Sequence, residues 1–153
     1  MKRFTRIAMA LLMCVILAAI TGCSKISRIK NSISGDKFTE IAEDYGLEVE
    51  KKENSSITTY IAQGNDIYVE FYVFDKNSYV STSYQYITGN IESAFEDVTA
   101  ETDTMDGEYP RFQMKADSLN AVASVIGNTM VYAYSTSASG TGNVDEFMEK
   151  VGY

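Results

Sequence analysis

At 153 residues the chain has room for one domain, and 45% hydrophobic, 22% charged and 12% aromatic residues with a single proline exclude wholesale disorder. The formal charge of −8 understates the acidity of the folded part: Lys2, Arg3 and Arg6 lie in a segment expected to be removed, and of 13 basic residues 10 then face 21 acidic ones, a balance of −11. That balance excludes nucleic-acid binding, which draws its affinity from cations neutralising phosphates.

Residues 1–6 carry three cations and no acid, and Ile7 to Ile20 is an uncharged apolar run. The run is shorter than the about 20 residues that span a bilayer, but it has the length of a signal-peptide apolar region. It ends in Ile20-Thr21-Gly22-Cys23, an aliphatic residue, two small ones and a cysteine. This resembles the bacterial lipobox, and the resemblance implies cleavage between Gly22 and Cys23 and a diacylglyceryl lipid on the Cys23 sulfur. Cys14, the other cysteine, leaves with the signal segment, so Cys23 is left unpaired in an exported protein, and lipidation accounts for it. Two acyl chains, at about 0.8 kcal/mol per buried CH₂, give the stable anchoring that one chain does not. The expected organisation is a signal peptide over 1–22, a lipidated cysteine with its tether over 23–35, and one domain over 36–153. The expected location is the extracytoplasmic face of a cell membrane, with no cofactor besides the covalent lipid.

In the domain, Asp36 is a candidate N-cap, and Phe38, Ile41, Ala42 and Tyr45 recur at helical spacing up to Gly46, a C′ glycine that Leu47 would cover. Ile57 to Ala62 and Ile67 to Phe74 read as a hairpin closed by Gly64-Asn65-Asp66. Alternation in the second strand puts Ile67, Val69, Phe71 and Val73 on one face and Tyr68, Glu70, Tyr72 and Phe74 on the other. Residues 78–98 carry a helical stripe of Val80, Tyr84, Ile87, Ile91, Ala94, Phe95 and Val98, capped by Asn77 or Ser78. The acid-rich stretch through Glu101, Asp103, Asp106 and Glu108 reads as a polar connection ending at Pro110. Strands are predicted at about 111–117, 120–126 and 129–135, the last two joined by Gly127-Asn128. A loop rich in small residues then leads to a short helix capped by Asn143 and closed by Gly152. The order α-ββ-α-βββ-α predicts an α+β domain, an antiparallel sheet of about five strands with packed helices.

Histidine is absent, and the one retained cysteine is the anchor. Thiol nucleophiles, imidazole bases and a His- or Cys-based zinc site are thereby excluded, so no catalytic residue and no metal ligand is assigned. The acids around Asp103, Asp106 and Glu108 lack the alternating ligands of a calcium loop and read as solvated. Tyrosine is abundant: Tyr68, Tyr72 and Phe74 share one strand face, and Tyr132 and Tyr134 share another. If the two faces coincide with no helix over them, they form an amphipathic aromatic surface suited to peptides or glycans; under a helix they are core or rim.

The lipobox, the Phe38-to-Gly46 helix leading into an aromatic hairpin, and the ending Asn128 to Tyr132 with Gly152-Tyr153 together resemble short lipid-anchored proteins of Gram-positive bacteria. The resemblance implies a surface location and carries no catalytic residue. The expectation is a non-catalytic lipoprotein, held at the membrane by its lipid, that binds a protein, peptide or cell-wall component. The alternatives are a solute-binding accessory of a transporter, for which about 120 residues is short, and a carboxylate-based wall hydrolase, for which no acid pair stands out.

Overall fold

The computed structural model describes residues 30–153. It is α+β: one seven-stranded antiparallel sheet and, among the described residues, three helices in two layers. The first helix, α1 (Gly35–Asp44), begins earlier than Asp36 because Ser34 is the cap, its Oγ accepting the Lys37 N–H at 3.2 Å. Gly46, at φ +84°, ends it, and the Leu47 N–H bonds back to the Ala42 carbonyl at 2.9 Å, which seats the buried Leu47 over the helix end. A three-strand meander follows, β1 (Glu48–Glu53), β2 (Ile57–Gly64) and β3 (Ile67–Phe74). Helix α2 (Asn77–Ala94) leads into a second meander, β4 (Glu101–Met105), β5 (Arg111–Ala116), β6 (Leu119–Ile126) and β7 (Thr129–Ser135), and α3 (Gly140–Val151) closes the fold. The meanders join where β3 pairs with β7, so the strand order is β1-β2-β3-β7-β6-β5-β4.

The expected count of about five strands and the order α-ββ-α-βββ-α are corrected to seven strands and α-βββ-α-ββββ-α. The two additions, β1 and β4, are the sheet's edges. Their sequences, EVEKKE and ETDTM, carry almost no apolar residue, and nearly every position is exposed. Charge on an edge strand discourages pairing with other chains, and it also erases the alternation by which a strand is recognised. Helix α2 ends at Ala94, before Val98, which is 41% exposed. Helix α3 starts at Gly140, three residues before Asn143. Asn143 instead donates its side-chain amide to the Asn65 carbonyl at 2.8 Å, tying the helix to the β2–β3 turn.

The layers divide the apolar residues by strand parity. On one face α1 and α3 cover Tyr60, Ala62, Ile67, Val69, Phe71, Val122, Val131 and Ala133. Phe38 stacks on Phe71 at 4.8 Å and meets Phe147 edge-on at 6.0 Å, which locks both helices to β3. Such pairs add about 0.5–1.5 kcal/mol beyond area burial. On the opposite face α2 alone packs on the sheet, with contacts to β6, β7 and β3. Its Val80 meets Phe74, Val125 and Met130, and its Ile91 meets Phe112, Met114 and Ala121. One helix is too narrow for seven strands. On this face Thr59 and Ile61 of β2 remain half-buried and Gln63 is exposed.

Candidate functional site: a tyrosine surface around Glu70

Two tight turns put the aromatic strands in register. Asn65 and Asp66 both have positive φ, +48° and +62°, the geometry of a two-residue type I′ hairpin, and they pair Gly64 with Ile67. Gly127, at φ +59°, takes the first position of the β6–β7 turn and pairs Ile126 with Thr129. With both registers set, β3 and β7 pair Tyr68 with Tyr134, Glu70 with Tyr132 and Tyr72 with Met130. Parity then sends Tyr68, Glu70, Tyr72, Tyr132 and Tyr134 to the single-helix face, where all five are half-buried.

Glu70 organises the group. Its carboxylate accepts the Tyr68 hydroxyl at 2.7 Å on one oxygen and the Tyr72 hydroxyl on the other. Tyr134 lies 5.3 Å from Tyr68 and stacks on Tyr132 at 5.5 Å, so the rings form a continuous patch with the carboxylate among them. Burial pushes the Tyr68 and Tyr72 hydroxyls well above their ordinary range, and the hydrogen bonds to Glu70 add to this. Burial raises Tyr132 as well, with the charge on Tyr134 and on Glu70 adding to it. Among the described residues no lysine or arginine forms an ion pair with Glu70.

Of the aromatic residues expected on this surface, the structure brings together Tyr68, Tyr72, Tyr132 and Tyr134. Phe74 is not part of the surface: it is 1% exposed and lies under Val80 of α2. Glu70 was legible on the same strand face, but nothing local marked it as the carboxylate that its neighbours would grip. Cys23, with the cleavage position after Gly22, lies outside the described residues. Asp103 sits on β4, paired with Gln113, while Asp106 and Glu108 lie in the turn beyond it; no acids converge on a metal-sized site among the described residues. No described helix is long and apolar enough to cross a membrane. Chemically, the surface offers hydrogen-bond acceptors, ring faces and one negative charge.

No protein-family model matches the chain, and no curated protein matches it in sequence. Among solved structures it is similar to a GTP binding regulator from Thermotoga maritima, at 16% identity and a TM-score of 0.46, over 78% of this chain and 84% of that one. A likeness at that level carries no function across.

Proposed function

We propose that this is a lipid-anchored, extracytoplasmic binding module, attached through Cys23, whose working surface is the tyrosine patch around Glu70. The observation that carries the binding role is the patch itself: four tyrosines and a carboxylate on a sheet face that α2 covers only in part. Tyrosine gives contact area at low entropic cost and keeps a polar tip, which is why it recurs at interfaces. The address rests on the charged start, the apolar run and the lipobox, in order and closely spaced. The partner class is a protein, peptide or cell-wall component.

Photocrosslinking in intact cells tests the binding role. A benzophenone side chain at Tyr132 is expected to capture one defined partner, and the same group at Glu43, on the outer side of α1, is not. The same random ladder from both positions contradicts the proposal. For the address, mass spectrometry of native material is expected to show residue 23 acylated at the new N-terminus; an unmodified cysteine there removes the anchor.

A further inference from the structure

A half-buried carboxylate costs free energy unless something compensates its charge. In Glu70 two tyrosine hydroxyls supply hydrogen bonds, but among the described residues no lysine or arginine forms an ion pair with it. The nearest basic residue on this face by register is Lys52. It sits on β1, separated from β3 by β2, and is paired with Glu50 at 3.3 Å. Beside the carboxylate, Tyr132 and Tyr134 present stacked rings, whose faces attract cations as well. The domain as a whole is acidic. The carboxylate, the ring faces and the net charge therefore favour a positive group from outside. Tyr132 and Tyr134 pack toward the Ile91 cluster and Tyr72 toward the Val80 cluster, but the margin of the surface at Tyr68 borders a strip of sheet with exposed Gln63, whereas small-molecule sites are typically enclosed on most sides. An open strip suits a chain laid across it.

Resting on the binding surface proposed above, we infer that Glu70 and the surrounding tyrosines receive an arginine or lysine side chain of a basic polypeptide segment. Arginine fits best, since its planar guanidinium stacks on a ring while its N–H groups point at a carboxylate. The uncovered part of β2 lies alongside to support the flanking residues.

The test uses the full chain solubilised in detergent, titrated with a Gly/Ser nonapeptide carrying one central arginine and with its citrulline counterpart, which keeps the shape and lacks the charge. Saturable NMR shifts confined to the Tyr68, Glu70, Tyr132 and Tyr134 signals are expected with the arginine peptide. Citrulline, or Glu70→Gln, is expected to weaken binding about tenfold or more, and Glu43→Gln to leave it unchanged. Glutamine keeps an acceptor for a tyrosine hydroxyl, and near-ultraviolet circular dichroism checks its packing. Tyr132→Leu gives a second reading, with loss expected from the missing ring face. Equal binding of both peptides, equal binding by Glu70→Gln, or shifts spread over the acidic surface overturns the inference. Binding of neutral wall polysaccharide at the patch, with no response to the arginine peptide, overturns it while the binding surface stands. Failure of the Tyr132 crosslinking overturns the surface itself.

Discussion

Asp145 is the residue that fastens α3 to the second meander. Its Oδ1 accepts from Gln113 and Asn120, both at 3.0 Å, and its Oδ2 from Lys115 at 2.5 Å. Asn120 is fully buried and donates also to the Thr141 carbonyl, so its amide is satisfied on both protons. Burial alone would raise the Asp145 carboxyl, but the hydrogen bonds from Lys115, Asn120 and Gln113, with the charge on Lys115, outweigh it and hold the group below 3.8. A depressed carboxyl stabilises the fold above its unfolded value and loses that contribution as pH falls through the folded one. Urea midpoints should therefore decline below about pH 4, and Asp145→Asn should flatten that decline. The tyrosines act at the other limb. Their folded values are raised, so their contribution is complete below the unfolded value of 10 and disappears as pH climbs past it. Melting temperature is expected to fall above about pH 10, and Tyr72→Phe to reduce the steepness of that fall. Tyr153, 6% exposed, meets Phe71 edge-on at 6.2 Å and bonds to the Thr129 hydroxyl. Tyr153→Ala should cost about 3–5 kcal/mol in chemical denaturation.

Among the elements, the start of α3 and the edge strands show most plainly what lies beyond local patterning. At Gly140 a Cβ would fall inside contact distance of the Asp66 carbonyl and the Ser135 hydroxyl, so the helix begins where only glycine lets it approach the hairpin turn. Gly140→Ala should shift α3 and lower stability by about 1–3 kcal/mol, because the obstructing oxygen is backbone and cannot swing away. Locally that glycine belongs to a loop of small residues, so the helix start was illegible. The strands around the middle of the sheet were legible, since burial imposed alternation on β3 and filled β6 and β7 with apolar and β-branched residues. Strands β1 and β4 were not, because an edge strand is held by ladder bonds on one side and needs no apolar face. Their charge has a use that can be checked: replacing Lys51 and Lys52 by valine should produce concentration-dependent association in light scattering. The tyrosine face was legible from parity alone, whereas the burial of Phe74 depended on where α2 crosses the sheet, which no local signal encodes.

At the scale of the molecule, the chain enters the domain beside the β6–β7 turn, where Lys30 and Asn31 line a shallow pocket with Glu108 and Gly127. The same turn abuts Phe74, through the Asn128 amide bonded to its carbonyl at 2.8 Å. Tyr68 and Tyr134 lie toward the opposite ends of β3 and β7. Tyr134 is seven residues along from Gly127, about 23 Å at the rise of a strand. With Cys23 acylated as proposed, the patch extends away from the end at which the described chain begins. Two further tyrosines, Tyr79 and Tyr86, stand exposed at 40% and 69% on α2 and belong to no part of the proposed surface. They are the internal reference for the most direct measurement: hydroxyl-radical footprinting of tyrosine in intact cells against the purified protein. Occupation of the patch predicts protection of Tyr68, Tyr132 and Tyr134 in cells, with Tyr79 and Tyr86 labelled alike in both. Equal labelling of all five in the two samples would contradict it.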